Sequence, residues 1–178
     1  GVIDSKDKTV IGDPNPDVYG NIYTNLSYKR WSLDVNFKYS VGNDVYNAQR
    51  MFSTQSRLEM QNNLAEVKDR WTATNASNLV PSAKGYVAYD VYSRFIEDGS
   101  FLRLKNITLG YTIPERLTRK FYVNKLRIYA SANNLFLLTK YSGFDPEVNM
   151  KSSNLMPSFD FGAYPKSKTF TFGVELNF

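Results

Sequence analysis

The stretch that decides the fold is residues 168–178, which reads K-T-F-T-F-G-V-E-L-N-F. Every second side chain in it is apolar, namely Phe170, Phe172, Val174, Leu176 and Phe178. The side chains between them are mostly polar, namely Thr169, Thr171, Gly173, Glu175 and Asn177. Because successive side chains of a β-strand point to opposite faces, the segment predicts a strand with one apolar and one polar face.

The length of this strand and its terminal aromatic residue indicate a membrane setting. About 9–11 residues suffice for a tilted strand to cross a bilayer. A chain that ends on an aromatic residue such as Phe178 is similar to the closing strand of a bacterial outer-membrane β-barrel, where a terminal Phe serves as an assembly signal. On this segment alone, an ordinary strand of a soluble sandwich is the alternative.

Alternation of the same kind recurs along the chain. It is cleanest in residues 31–41, where Trp31, Leu33, Val35, Phe37, Tyr39 and Val41 alternate with Ser32, Asp34, Asn36, Lys38 and Ser40. We predict an all-β fold with about five antiparallel strands, at 19–29, 31–41, 101–113, 124–138 and 167–178. One irregularity lies at Arg103 and Lys105, which share parity with the apolar residues downstream. Either a bulge shifts the face there, or the two cations lie at the lipid headgroups.

Two long polar segments, 42–100 and 139–166, separate the strands. In the first, Ser56-Arg57-Leu58-Glu59 fits a capping box, and Met60, Leu64, Val67 and Trp71 have helical spacing. This pattern predicts a short helix at about 57–70. Connections of this length inside a compact domain are uncommon and tend to be functional.

The distribution of connections favours a membrane barrel. If the last strand ends on the periplasmic side, the Lys29-Arg30 turn and the 114–124 turn are both periplasmic, and the two long segments are extracellular. Short periplasmic turns and long extracellular loops are typical of outer-membrane barrels. We therefore expect a multi-pass protein of a Gram-negative outer membrane, in contact with its lipid. Five strands cannot close such a barrel, whose smallest form has about eight, so other strands must complete the wall.

Composition excludes several function classes. The chain has 178 residues with no Cys and no His, which excludes disulfides, thiol nucleophiles, Cys/His zinc sites and His general bases. The net charge of +5 comes from scattered Lys and Arg without a dense run, which argues against nucleic acid. No acidic pair has a spacing that requires acid–base catalysis, and no glycine-rich phosphate loop is present, so we predict no enzyme and no cofactor.

Several motifs resemble one family. They are Asp69-Arg70-Trp71-Thr72, the F-L-R-L-K-N-I-T-L-G-Y-T-I-P stretch of 101–114, Asn133-Asn134-Leu135-Phe136, the K-Y-S-G-F-D-P-E stretch of 140–147, and residues 164–178. Together they resemble the C-terminal barrel region of SusC/RagA-type TonB-dependent outer-membrane transporters of Bacteroidota. The resemblance covers nearly the whole chain but only the tail of such a transporter.

This resemblance implies a large barrel of about 22 strands with an N-terminal plug in its lumen. It implies uptake of oligosaccharides or peptides driven through TonB, with a SusD-like surface lipoprotein as a lid. The plug and the TonB box are not among these residues, which would supply part of the wall and the loops. Two other functions stay open: a soluble or surface-anchored β-sheet module that binds carbohydrate or acts as an adhesin, and a passive porin-like structural subunit.

Candidate site residues fall into two groups. Trp71, Tyr141, Phe144 and Asp145 are candidate ligand or lid contacts in the extracellular loops, since flat aromatic faces suit sugar stacking. For Trp71, packing of the loop helix is the simpler interpretation. Asp145-Pro146-Glu147 suits a calcium ion or sugar hydroxyls, although such motifs more often shape a turn. Asp34, Asn36, Lys38, Glu175 and Asn177 are expected to face the lumen.

Overall fold

The computed structural model describes residues 5–54, 62–77, 79–82, 91–149 and 157–178. The chain forms two compact units. The first, which we call the loop unit, comprises residues 1–15, 43–99 and 141–164. The second, which we call the sheet unit, comprises residues 16–42, 100–140 and 165–178.

The sheet unit is one antiparallel sheet of five strands in the order β1-β2-β5-β6-β8. Its strands are β1 (Val18–Tyr28), β2 (Trp31–Val41), β5 (Phe101–Thr112), β6 (Lys125–Thr139) and β8 (Thr169–Asn177). The all-β prediction with about five antiparallel strands is thus confirmed. The strands are 9 to 15 residues long, which is the length that a tilted strand needs to cross a bilayer.

The cross-strand register sorts the side chains into two faces. Leu33 of β2 lies opposite Leu26 of β1 and Leu109 of β5. Ala130 of β6 lies opposite Leu109 on one side and Phe172 of β8 on the other. Since this alternation continues in register along the strands, the sheet has a continuous apolar face and a continuous polar face.

A bulge at Lys105 keeps the two faces in register. Phe37 of β2 lies opposite Leu104, and its neighbour Asn36 lies opposite Asn106, so that Lys105 has no partner in β2. The extra residue shifts by one position which side chains of β5 point to each face. Arg103 consequently lies on the polar face, opposite Lys38. Of the two explanations offered by the sequence, the bulge is correct.

Two short turns close one end of the sheet. Lys29 and Arg30 form the β1–β2 turn, in which Lys29 has a left-handed backbone with φ of 55°. The β5–β6 connection contains the short helix α2 (Glu115–Thr118) and a 3-10 helix at Arg119–Phe121. At the opposite end of the sheet, the chain enters β1, β5 and β8 from the loop unit and returns to it after β2 and β6.

The loop unit is built on a small three-stranded sheet of β4-β3-β7. These strands are β3 (Asp44–Asn47), β4 (Ile96–Asp98) and β7 (Phe159–Asp160), and α1 (Ala48–Thr54) follows β3 directly. Three 3-10 helices lie in its described residues, at Ser5–Asp7, Ala65–Asp69 and Ser93–Phe95. One buried cluster consists of Tyr46, Ala48, Met51 and Phe95, and a second consists of Val45, Tyr141 and Val148.

The predicted helix at 57–70 is partly outside the described residues, since its capping box at 56–59 and Met60 both lie there. Its described part, from residue 62 onward, contains only the 3-10 helix Ala65–Asp69. An α-helix that was not predicted from the sequence, α1, precedes this stretch at Ala48–Thr54. None of the helices in the described ranges is long and apolar enough to cross a membrane.

Candidate functional site

The polar face of the sheet unit is held together by side-chain hydrogen bonds between strands. Asn106 Nδ2 donates to Asn133 Oδ1 at 2.9 Å and to Ser131 Oγ at 3.0 Å. Thr108 Oγ1 lies 3.0 Å from Ser131 Oγ and bonds with it. Because the side chains are short and bonded to one another, this part of the face is polar, flat and tied across β5 and β6.

All five residues predicted to face the lumen lie on this polar face. Asp34 Oδ1 accepts hydrogen bonds from Tyr23 Oη at 2.8 Å and from Asn25 Nδ2. Glu175 Oε2 lies 3.5 Å from Arg127 Nη1, and Arg127 Nη2 donates a hydrogen bond to Ser32 Oγ at 3.1 Å. The remaining three occupy register positions on the same face: Asn36 opposite Asn106, Lys38 opposite Arg103, and Asn177 opposite Lys125.

The ring of Tyr129 on this face occupies the space left by the missing side chain of Gly173. Tyr129 of β6 lies opposite Gly110 of β5 and Gly173 of β8. A Cβ atom at Gly173 would lie 2.3 Å from Tyr129 Cζ, so only glycine leaves room for the ring in this position. The ring therefore lies close against the backbone of β8 at Gly173.

The apolar face is exposed along the sheet. The side chains of the last strand, Phe170, Phe172, Val174, Leu176 and Phe178, are 52% to 82% exposed. On β1, Ile22 and Leu26 are each 56% exposed. Contiguous apolar surface on this scale is typical of a face that contacts lipid or another protein.

In the loop unit, a charged network joins α1, the 3-10 helix Ala65–Asp69 and β4. Arg50 binds Glu66 in a bidentate pair, with Nε donating to Oε1 at 3.0 Å and Nη2 to Oε2 at 2.8 Å. Its third nitrogen, Nη1, donates to Glu97 Oε1 at 3.2 Å. The hydrogen bonds with Glu66 raise the pKa of Arg50, and the same bonds hold the pKa of the Glu66 carboxyl below its ordinary value.

Glu97 connects this network to the segment that begins at Tyr141. Its Oε1 also accepts from Asn47 Nδ2 at 3.1 Å and from Ser142 Oγ at 2.8 Å, and its Oε2 accepts from the Ser142 backbone N–H at 2.8 Å. The side chain of Glu97 is only 13% exposed. A carboxylate with this many donors is firmly held, so it fixes three separate segments of the loop unit relative to each other.

Tyr141 is a buried anchor. Its hydroxyl donates to Asp160 Oδ2 at 2.6 Å, and Asp160 Oδ1 accepts from the backbone N–H groups of Gly162 at 2.8 Å and Ala163 at 3.0 Å. Asp160 is 1% exposed. Burial, and then the hydrogen bond to Asp160, raise the pKa of Tyr141, which therefore keeps its proton and continues to donate.

A cleft of about 490 Å³ opens beside these residues. Its lining includes Asn47, Arg50, Glu66, Ser142 and Phe144. Phe144 is 66% exposed, so its ring offers a flat apolar surface beside amide, hydroxyl and charged groups. The volume of this cleft falls in the range of small-molecule sites.

The structure separates the four predicted loop contacts. Phe144 lines the cleft, whereas Tyr141 is 5% exposed and holds Asp160. Asp145 is 4% exposed, and its Oδ1 accepts the Glu147 backbone N–H at 2.9 Å, which is a turn-shaping bond. Trp71 is 47% exposed, and its backbone N–H donates to the Val80 carbonyl.

Sequence reasoning missed the Arg50 network and Asp160. Arg50 and Glu66 are 16 residues apart, and Asn47 and Glu97 are 50 apart, so no local spacing pairs them. Within the described residues, no group of three or more acidic, His or Cys side chains is arranged to hold a metal ion.

Comparison with known proteins shows that the chain is similar over its whole length to one part of much longer proteins. TonB-dependent receptor P3 of Formosa agariphila is 34% identical over 187 residues, which cover all of this chain and 18% of the relative. TonB-dependent receptor SusC of Bacteroides thetaiotaomicron is 31% identical over 179 residues, again all of this chain and 17% of the relative. No protein-family model matches.

A solved structure has the same fold. The structure of the RagAB peptide transporter matches with a TM-score of 0.78 and 32% identity, over 94% of this chain and 18% of that chain. The chain thus spans less than a fifth of the length of the proteins it matches. The antiparallel sheet has one apolar and one polar face, and the chain matches TonB-dependent receptors over its whole length. Together these observations identify the sheet as a segment of a transmembrane barrel wall. The segment belongs to the SusC/RagA type of TonB-dependent receptors.

Proposed function

We propose that this chain is part of an outer-membrane importer that takes up nutrients with energy delivered through TonB. In this role the sheet unit supplies a section of barrel wall, with its apolar face toward lipid and its polar face toward the lumen and plug. The loop unit supplies extracellular surface, in keeping with long loops on that side of outer-membrane barrels. The protein would then be a multi-pass protein of a Gram-negative outer membrane.

One observation carries this proposal: the apolar face is continuous, in register over five strands and exposed. Phe172 near the middle of β8 is 82% exposed. In water such a surface is a liability, whereas in a bilayer it is the required outer surface of a wall. The similarity to receptors and transporters over the whole chain supports transport in preference to catalysis.

The proposed substrates are oligosaccharides or peptides, and the proposed partner is a SusD-like lipoprotein above the loop unit. The RagAB peptide transporter supports the peptide class, and oligosaccharides are the other class that the family resemblance implies. The loop cleft suits either class, because it combines the ring of Phe144 with the amide of Asn47 and the hydroxyl of Ser142. The remaining barrel, the plug and TonB are further proposed partners of this segment.

Cysteine accessibility in the full-length receptor tests the orientation. The segment itself contains no Cys, so single cysteines are introduced at Phe144 in the loop unit, Lys120 in the β5–β6 turn and Phe172 on the apolar face. A membrane-impermeant maleimide should label position 144 in intact cells and position 120 only after the outer membrane is opened. Position 172 should stay unlabelled in both cases. Labelling of position 172 in intact cells would refute the proposed wall.

Uptake separates the importer from the two alternatives. A deletion strain complemented with the full-length gene should take up labelled oligosaccharides or peptides only when TonB is present. Uptake that persists without TonB would indicate a passive porin. Recovery of the protein from the soluble fraction, with binding but no uptake, would indicate a carbohydrate-binding or adhesin module.

A further inference from the structure

The apolar face contains a groove that the lipid-facing role does not explain. It has a volume of about 620 Å³ and is lined by Trp31, Tyr111, Ile128, Ala130, Phe172 and Val174, among others. The small side chain of Ala130 forms its floor, because the facing positions on β5 and β8 are Leu109 and Phe172.

A second pocket adjoins the groove at the turn end of the sheet. It measures about 540 Å³ and is lined by Tyr28, Lys29, Arg30, Trp31 and Tyr111. Trp31 and Tyr111 line both cavities, and their rings are 4.7 Å apart between centroids. An apolar groove thus continues into a pocket that contains two cations.

The turn residues are held in place. The Thr112 backbone N–H donates to the Arg30 carbonyl at 2.9 Å, which ties the β1–β2 turn to β5. Lys29 Nζ lies 5.2 Å from the centroid of the Tyr28 ring. Since Tyr28 is 70% and Trp31 50% exposed, aromatic rings flank the cations at the level where a membrane interface has its aromatic belt.

Charge is concentrated at this end of the sheet. The two turns, with the first residue of β6, contain six cations and one anion: Lys29, Arg30, Arg116, Arg119, Lys120 and Lys125 against Glu115. Removing these from the 22 basic and 17 acidic residues leaves 16 of each. The two turns and the start of β6 therefore carry a net charge equal to that of the whole chain, and Lys29 and Arg30 are the two of these cations that line the pocket.

We propose that this composite site binds one anionic phospholipid, with an acyl chain in the groove and the phosphate between Lys29 and Arg30. The inference rests on the proposed function, since it requires the apolar face to be in a membrane. Short turns lie on the periplasmic side of outer-membrane barrels, so the lipid would come from the periplasmic leaflet. Basic clusters beside apolar grooves recognise anionic headgroups by the same combination of charge and burial.

The test uses the full-length receptor purified in detergent, titrated with dioleoyl phosphatidylglycerol or dioleoyl phosphatidylcholine and followed by native mass spectrometry. We expect one phosphatidylglycerol to be retained in clear preference to phosphatidylcholine. The double variant Lys29→Gln/Arg30→Gln should weaken phosphatidylglycerol binding on the order of tenfold or more and remove the preference. The control Arg116→Gln/Lys120→Gln removes the same charge from the other turn and should change binding less than about twofold.

A second variant tests the groove without changing charge. Ala130→Leu fills the floor with an apolar side chain that suits a lipid-facing position, and it should weaken retention of both lipids. Equal losses in the two charge variants would overturn the proposal in favour of unspecific attraction. Displacement of the lipid by glycerol phosphate alone would overturn it in favour of a phosphate site. Outer-membrane location of these variants reports separately on the proposed function.

Discussion

Replacing Phe172 by Arg distinguishes a membrane wall from a sheet in water. Phe172 lies near the middle of β8 and is 82% exposed, so it has few protein contacts to lose. In water, Phe172→Arg would consequently be neutral or would improve solubility. At the bilayer midplane, an Arg on the lipid face of a β-barrel costs about 2–4 kcal/mol. Since about 1.4 kcal/mol is a factor of ten, the folding equilibrium should fall roughly 30-fold to 1,000-fold.

Thr171 provides the matched control because it is the adjacent residue on the opposite face, opposite Ser131 of β6. Thr171→Arg adds the same charge to the polar face and should change stability by no more than about 1 kcal/mol. The assay is urea unfolding of the full-length receptor in lipid vesicles, with the folded fraction read from heat-modifiable gel mobility. If Phe172→Arg folds as well as Thr171→Arg, the assignment of the apolar face to lipid is wrong.

Three further predictions concern single contacts. Gly173→Val should lower the folded yield of the receptor, because the new Cβ atom would lie 2.3 Å from Tyr129 Cζ. The gel-mobility assay measures this yield. A normal yield would show that the Tyr129 ring can move aside. The pKa of Glu66 is lowered by Arg50, so the pair stabilises the loop unit above the ordinary carboxyl pKa of about 4.3 and is lost as the pH falls through the lower folded value. Hydrogen exchange of α1 should rise in that acidic range, and Glu66→Gln should remove this pH dependence. Tyr141→Phe removes the hydroxyl that donates to the buried carboxylate of Asp160, and it should cost about 1–3 kcal/mol of local stability. Hydrogen exchange at residues 159–163 measures this loss. Unchanged exchange there would contradict the role of this bond.

The strands and their faces were predictable because the alternation of apolar and polar residues within each strand shows which side chains share a face. The alternation from Trp31 to Val41 is sufficient to assign each side chain to a face, and the antiparallel register follows from the two-residue turn at Lys29. The parity break at Lys105 was visible in the sequence as an irregularity. Only the pairing of Leu104 and Asn106 with β2 identifies it as a bulge, because that information resides in the partner strand.

The loop unit was less predictable because long-range contacts hold it together. Glu97 accepts hydrogen bonds from residues that are about 45 to 50 positions away in the sequence. The local sequence pattern around β4 does not predict these partners. Tyr141 was a candidate for ligand contact because aromatic loop residues often bind ligands. Its burial against Asp160, which is 19 residues further along, makes it part of the framework.

The edges of the sheet explain why this segment belongs to a larger wall. β1 pairs only with β2 and β8 only with β6, so within the described strands each of them has one edge without a partner. In lipid, every unpaired backbone N–H or C=O group costs several kcal/mol, and only a closed barrel removes that cost. In the proposed membrane setting, both edges of the sheet would therefore need partner strands. Further strands flanking β1 and β8 would be in keeping with a chain that spans 18% of the receptor P3 that it matches.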